Sequence, residues 1–157
     1  GQRTSLEPRT VFFEGPTGFG GALRVWSATS IVINGRVLAD GGEGGDANIG
    51  TGRNAGCDPQ PGAAGGGGSG GVIFLRAPSL TVGPRGRVSA AGGAGGFGSL
   101  HASGGAGGPG GLGRLRLSAN PAMCQLQGQF VPSLVAGCAP TAGAGSPGRA
   151  YVAAFPD

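Results

Sequence analysis

The sequence predicts an all-β fold in which short strands stack in layers, as in a solenoid, with glycine-rich, polyproline-II-like segments packed alongside. Two observations support this prediction. Short apolar runs alternate with turn residues along most of the chain, and 39 of the 157 residues are glycine, several times the average share of about 7%. Only 11% of the residues are charged and 38% are apolar, the opposite of the balance in disordered chains. We therefore expect the chain to fold.

An internal repeat is the third observation. Four apolar passages superpose on their first glycine: 21–25, 71–75, 113–117 and 148–152. The first three are followed by a second apolar run at 31–33, 80–82 and 123–126, and by a third at 35–38, 86–89 and 128–131. The repeat predicts units of three strands and a glycine tract over about 20–69, 70–111 and 112–147, a partial unit over 148–157, and an N-terminal cap over 1–19.

The opening strand of each unit is expected to have one apolar face. The run 23–25 places Arg24 between two apolar residues, and the run 115–117 does the same with Arg116, so arginine and apolar side chains should lie on opposite faces. The run 72–75 is apolar without interruption, which predicts a central strand covered on both faces.

The glycine tracts have several structural interpretations. Glycine and serine favour flexible linkers, although a linker need not recur between patterned strands. Collagen is excluded, because the passage 43–49 breaks the glycine at every third position that a triple helix requires. Extended polyproline-II-like segments packed side by side fit 92–96 and 104–111 best, since a non-glycine residue recurs about every third position there. Irregular glycine loops stay open as an alternative.

The passages 65–77, 87–96 and 110–117 resemble the glycine-rich repeats of large secreted and surface proteins of bacteria, myxobacteria among them. The resemblance covers about residues 20–120 and rests on the succession of glycine tract, apolar strand and arginine. It implies an extracellular or cell-surface setting with a structural or adhesive role, and it transfers no catalytic residue.

Charge and hydropathy argue against several classes of protein. The formal net charge is +4, and the arginines are spread along the chain without a run of about five, so no nucleic-acid-binding stripe is expected. No apolar stretch approaches the length of about 18 residues that a transmembrane helix needs. The chain begins at Gly1 without a signal-peptide pattern, which we interpret as a mature processed polypeptide or a fragment of a longer one.

No constellation of catalytic, cofactor-binding or metal-ligating residues is recognisable, so we expect a protein that is not an enzyme and needs no cofactor. The passage 41–49 matches most of a calcium-binding nonapeptide, with Asp46 and Glu43 as candidate ligands. Asn48 stands where that motif has a large apolar residue, and a solvated acidic loop is the preferred interpretation. His101, the only histidine, has no cysteine or carboxylate nearby in sequence and is expected in an exposed loop.

Three cysteines allow three single disulfides. We expect Cys124 to pair with Cys138, because this pairing closes the shortest loop. Cys57 and Cys138 hold equivalent places two units apart, and stacking at about 4.8 Å a layer would separate them by about 9.6 Å, beyond the reach of a disulfide. Cys57 is then free or bonded to another molecule.

The function expected from these features is that of an extracellular structural protein, a subunit of a filament or surface assembly that associates with itself. Apolar terminal strands that leave backbone groups unpaired would make the contacts. Their residues are Val11, Phe12, Phe13, Tyr151, Val152 and Phe155. The alternative is an adhesin or phage-fibre-like module that displays the loops 48–60 and 97–103 to a surface glycan or another cell-envelope component. An ice-binding protein is a third, less favoured hypothesis.

Overall fold

The structure is a computed structural model that describes residues 11–12, 20–47, 63–98, 105–134, 137–139 and 150–156. Its secondary structure in these ranges consists almost entirely of short strands. The strands are β1 (Val11–Phe12), β2 (Ala22–Trp26), β3 (Ser30–Ile33), β4 (Arg36–Leu38), β5 (Val72–Arg76), β6 (Ser79–Val82), β7 (Arg87–Ser89), β8 (Arg114–Ala119), β9 (Cys124–Leu126), β10 (Gln129–Val131) and β11 (Ala150–Ala154). A 3₁₀ turn at Pro121–Met123 precedes β9.

The strands form three parallel sheets, which confirms the all-β prediction. Sheet I has the spatial order β2, β5, β8, β11; sheet II has β3, β6, β9; and sheet III has β1, β4, β7, β10. The chain passes from sheet I to sheet II to sheet III and then returns to sheet I one strand further along. The chain makes three such rounds, β2–β4, β5–β7 and β8–β10. Two strands lie outside these rounds: β1 precedes them in sheet III, and β11 follows them in sheet I.

The strand register pairs the residues that the sequence superposition aligns. In sheet I, Arg24 is the partner of Phe74, Phe74 of Arg116, and Arg116 of Tyr151. These residues occupy the fourth position of the four superposed passages. Sheets II and III are in parallel register as well. The glycine before each opening strand therefore predicts the register of the strand that follows it.

The core lies on the inner faces of the strands. Ile73 and Leu75 of β5 are at most 1% exposed, whereas their neighbour Val72 is 44% exposed. The prediction that 72–75 is covered on both faces is thus wrong: the strand is central in its sheet, yet Val72 on its outer face is exposed. The residues buried on the inner faces of the three sheets and at the strand ends are Leu23, Ile33, Ala39, Ile73, Leu75, Leu80, Val82, Val88, Ala90, Leu115, Leu117, Ala119 and Val152.

A disulfide joins Cys124 of β9 to Cys138, which is the predicted pairing. The two Cα atoms are 5.8 Å apart, and 14 residues separate the cysteines in sequence, a normal span for such a bond. Gly137, directly before Cys138, has φ +40°, a left-handed conformation that glycine adopts without a steric penalty. Cys57 lies outside the described residues.

Four glycine-rich segments extend from the sheets. We name them G1 (39–47, after β4), G2 (63–71, before β5), G3 (90–98, after β7) and G4 (105–113, before β8). Each is linked to its neighbours by backbone hydrogen bonds between segments. G1 and G3 lead away from sheet III, and G2 and G4 lead into sheet I. The glycine tracts are therefore hydrogen-bonded structure and do not behave as linkers in the described ranges.

The bonds between the segments repeat every third residue. In G1 the amides of Gly41, Gly44 and Ala47 donate to carbonyls of G3 at 91, 94 and 97. In G2 the amides of 65, 68 and 71 donate to G1 carbonyls at 45, 42 and 39, in the opposite chain direction. G4 donates to G3 in the same way from 107, 110 and 113. A spacing of three residues is the period of a polyproline II helix, which has no internal hydrogen bonds.

Candidate functional site

The outer face of sheet I is a row of arginine and aromatic side chains. The guanidinium carbon of Arg24 lies 5.3 Å from the centre of the Phe74 ring, and that of Arg116 lies 4.9 Å from the same centre. These distances are within the range of cation–π attraction. Because the three residues are register partners on adjacent strands, Phe74 is held between two arginines. We call this arrangement the arginine–aromatic ladder.

A second row of the same face lies beside the ladder. Trp26 and Arg76 are register partners, and the guanidinium carbon of Arg76 lies 5.4 Å from the centre of the Phe155 ring. Trp26 is 66% exposed, which is high for a large aromatic residue. Arg114, at the start of β8, is also exposed on this sheet. The face thus combines four arginines with an exposed indole ring.

The acidic residues within the described ranges lie elsewhere. Asp40, Glu43 and Asp46 are all in G1, which follows sheet III. The strands of sheet I contain no aspartate or glutamate. Among the described residues, the arginines of sheet I and the carboxylates of G1 therefore lie on different parts of the structure.

Asp46 and Glu43, the candidate calcium ligands, are exposed residues of G1. The Oδ1 atom of Asp46 accepts a hydrogen bond of 2.8 Å from the amide of Phe97 in G3. In the ranges that the structure covers, no three histidine, cysteine or acidic residues gather as metal ligands do. Asp46 thus links two glycine segments, and the calcium hypothesis stays a prediction that calcium titration by calorimetry can test.

Asp40 makes polar contacts that the sequence analysis did not predict. Its Oδ1 atom accepts hydrogen bonds from the hydroxyl of Ser89, at 2.6 Å, and from the amide of Ala91, at 2.7 Å. Ser89 is fully buried, so the carboxylate satisfies a hydroxyl that would otherwise lack an acceptor at this position. The available signal was weak, since nothing in the sequence around Asp40 indicates a contact with Ser89, which lies 49 residues later.

The residues predicted at the assembly edges lie on terminal strands. Val11 and Phe12 form β1, which pairs with β4 at one end of the described part of sheet III. Tyr151 and Val152 belong to β11, the last strand of sheet I, and Val152 is 2% exposed because it faces the core. Phe155 contacts Arg76 and donates its amide to the carbonyl of Ala119 at 3.1 Å. Phe13 and His101 lie outside the described residues, as do most of the loops assigned to the adhesin hypothesis.

Among the described residues, one face of G4 has no neighbour. A methyl group built at Gly105, Gly108 or Gly111 would have no described atom within 4 Å. In contrast, a methyl group at Gly107 or Gly110 would overlap the carbonyl oxygen of a G2 residue. The open positions are again three residues apart, so glycine recurs on a face of G4 where no described neighbour requires it.

Comparisons of the chain with known protein families, with curated proteins and with solved structures found no match. Among the described residues, no helix has both the length and the hydropathy to cross a membrane.

Proposed function

We propose that this chain is a non-enzymatic structural subunit of an extracellular assembly, a filament or surface layer, built as a solenoid-like stack of repeats. Parallel sheets support the proposal, because a parallel strand can be added at either end of a sheet without reversing the chain direction. The repeated visits to sheets I, II and III are the arrangement that a solenoid requires. The disulfide between Cys124 and Cys138 supports an oxidising, extracytoplasmic setting.

The observation that carries the proposal is the offset between the two ends. Sheet III begins one strand early, with β1, and sheet I ends one strand late, with β11. In a head-to-tail contact, β11 of one copy would face β2 of the next, and β10 would face β1. Sheets I and III would then continue across the contact, while sheet II, which has three strands in each copy, would be interrupted by one strand position. Such a heterologous contact does not close on itself and generates filaments.

The glycine segments extend the same proposal. We infer that G1 to G4 form a bundle of polyproline-II-like segments, since their bonds recur every third residue. The open face of G4, with Gly105, Gly108 and Gly111, has the geometry of a surface on which a further extended segment packs closely. Only glycine permits that approach of two backbones. The glycine bundle would thus continue from copy to copy beside the sheets.

A substitution at the outer edge of β11 tests the proposal. The amide of Phe155 points toward β8, and successive amides of a strand point to opposite sides, so the amide of Ala154 points to the open edge. Ala154→Pro removes this donor, whereas Ala154→Ser keeps it and serves as the matched control. We expect the wild type and Ala154→Ser to form filaments in electron micrographs, and Ala154→Pro to sediment as a monomer with unchanged thermal unfolding. A wild type that stays monomeric at every concentration, by light scattering and microscopy, contradicts the proposal.

A further inference from the structure

The outer face of sheet I has chemical features that self-assembly through the strand edges does not use. The edges use backbone groups, whereas this face consists of the side chains of the arginine–aromatic ladder, with Trp26, Arg76 and Arg114 beside it. These residues come from three strands that are about 40 to 50 residues apart in sequence. The fold therefore builds a cationic surface that the sequence keeps dispersed.

We propose that this face binds a linear polysaccharide of carboxylated sugars. Charge complementarity is the first argument, because Arg24 and Arg114 are exposed on a face whose strands contain no carboxylate, while the described acidic residues lie on G1. A guanidinium that stacks on a ring uses its flat face, and the N–H groups in its plane match the two oxygens of a carboxylate. Arg24 is exposed in this position on Phe74.

Spacing is the second argument. Adjacent strands are about 4.8 Å apart, so Arg24 and Arg116 are about 9.6 Å apart along the sheet. A polymer with one carboxylate on every sugar presents anions at a regular repeat along the same direction. One polysaccharide chain that lies across the strands of sheet I can therefore contact several arginines in succession. Several weak contacts to the same chain together give a stable complex.

The aromatic residues favour a polysaccharide over a single-stranded nucleic acid. Nucleic acids bind to a succession of aromatic rings on which the bases stack. Here guanidinium groups from both adjacent strands lie over the Phe74 ring, and among the aromatic side chains described on this face Trp26 is the exposed one, at 66%. A single indole beside arginines suits the C–H face of one sugar ring, with carboxylates on either side.

Trp26 is also the only tryptophan of the chain, so its fluorescence reports directly on this face. The experiment titrates the full chain with polygalacturonate at low salt, and with fully methyl-esterified polygalacturonate, which has the same backbone without charge. We expect the charged polymer to change the Trp26 emission and the esterified polymer to leave it unchanged. The wild-type protein alone thus decides the first part of the test. No change in emission with polygalacturonate overturns the proposal, and so does an equal response to both polymers.

Variants assign the binding to the ladder. Replacing Arg24 and Arg116 with glutamine should lower the affinity about tenfold or more, as expected when charge-assisted contacts are lost. The matched control replaces Arg36 and Arg85, two exposed arginines outside sheet I, and removes the same net charge; it should lower the affinity about twofold at most, by long-range attraction alone. An equal loss in the two double variants overturns the assignment to this face.

The aromatic contribution is tested by calorimetry. Trp26→Ala should weaken binding, whereas Phe97→Ala, which removes an aromatic residue that is 80% exposed on G3, should not. Oligothymidylate at the same salt concentration is the competing polymer. Tighter binding of oligothymidylate than of polygalacturonate overturns the choice of a polysaccharide.

Discussion

The strand layers and the glycine segments are two parts of one chain that are stabilised in different ways. In the strands, side chains such as Leu75 and Leu117 are buried completely and fill the space between the sheets. In G2 and G4 there are almost no side chains to bury, and the backbone amides donate directly to the neighbouring segments. Burial of apolar area stabilises the first part, and satisfied backbone hydrogen bonds stabilise the second.

Tolerance to substitution therefore follows a different period in the strands and in the glycine segments. In a strand, every second residue faces the core and the residues between are free to vary. In G3 the glycines at two positions in every three lie against a neighbouring backbone, whereas in G4 the glycines at 107, 110 and 113 do and those at 105, 108 and 111 do not.

The largest effect is expected from Gly110→Ala. The added methyl group would overlap the carbonyl oxygen of Gly68, and two hydrogen-bonded backbones cannot separate without breaking their bonds. We expect a loss of more than about 4 kcal/mol in the free energy of unfolding, beyond what overpacking among side chains usually costs. The control is Gly108→Ala, two residues away, where no described atom lies within 4 Å; it should change stability by less than about 1 kcal/mol. Equal losses of stability in the two variants, measured by denaturant titration, would contradict the packing of G4 against G2.

In the strand layers, Leu117→Ala should destabilise the protein by about 3 kcal/mol, because it leaves a cavity in a fully buried position. Val32→Ala is the matched change on the outer face of β3, where the side chain is 52% exposed, and should cost less than about 0.5 kcal/mol. Denaturant unfolding measures both. A cost at Val32 equal to that at Leu117 would mean that the outer face of sheet II is covered.

The disulfide is expected to contribute about 2 to 3 kcal/mol, since it closes a short loop in the unfolded chain. Replacing both Cys124 and Cys138 with serine should lower the unfolding temperature, and reduction of the wild type should have the same effect. Cys57→Ser is the control and should leave the unfolding temperature unchanged. A disulfide to Cys57 in peptide maps of the non-reduced protein would contradict this assignment.

The smallest effect is expected at the junction of the two parts. Asp40→Ala removes the acceptor for Ser89 and Ala91 and leaves a buried hydroxyl without its partner, at a cost of about 1 to 2 kcal/mol. Asp40→Asn keeps an oxygen at the same place and should cost about half as much. Thermal unfolding of the two variants distinguishes the loss of the acceptor from the loss of the charge, and a larger effect of the asparagine variant would contradict the role of Asp40 as acceptor.

Much of the strand arrangement could be predicted from the sequence because each opening strand follows a glycine at the same distance. That rule placed Arg24, Phe74 and Arg116 at equivalent positions before their register was known. The prediction failed for the outer face of 72–75, since an apolar run does not tell whether a second layer covers it. Here Phe74 is covered by arginines of the adjacent strands instead.

The candidate site was harder to predict. A search for runs of positive charge passes over arginines that are about 40 to 50 residues apart, yet parallel stacking aligns them in one row on sheet I. The glycine tracts posed a similar problem: composition shows that they are rich in glycine, but which glycine meets a backbone depends on the neighbours of each segment. Gly108 and Gly110 flank Pro109 in the same short glycine run, yet only Gly110 lies against a described backbone.

Amide hydrogen exchange of G2, followed by NMR, distinguishes packed, hydrogen-bonded glycine segments from a flexible linker. The amides of residues 64, 65, 67, 68, 70 and 71 donate hydrogen bonds to other segments, and no described acceptor binds the amides of Gly66 and Ser69. Packed segments with a three-residue period therefore predict slow exchange at two positions in every three and fast exchange at 66 and 69. Fast exchange at every residue of 64–71, as in a flexible glycine linker, would show that G2 is not held by hydrogen bonds to its neighbouring segments.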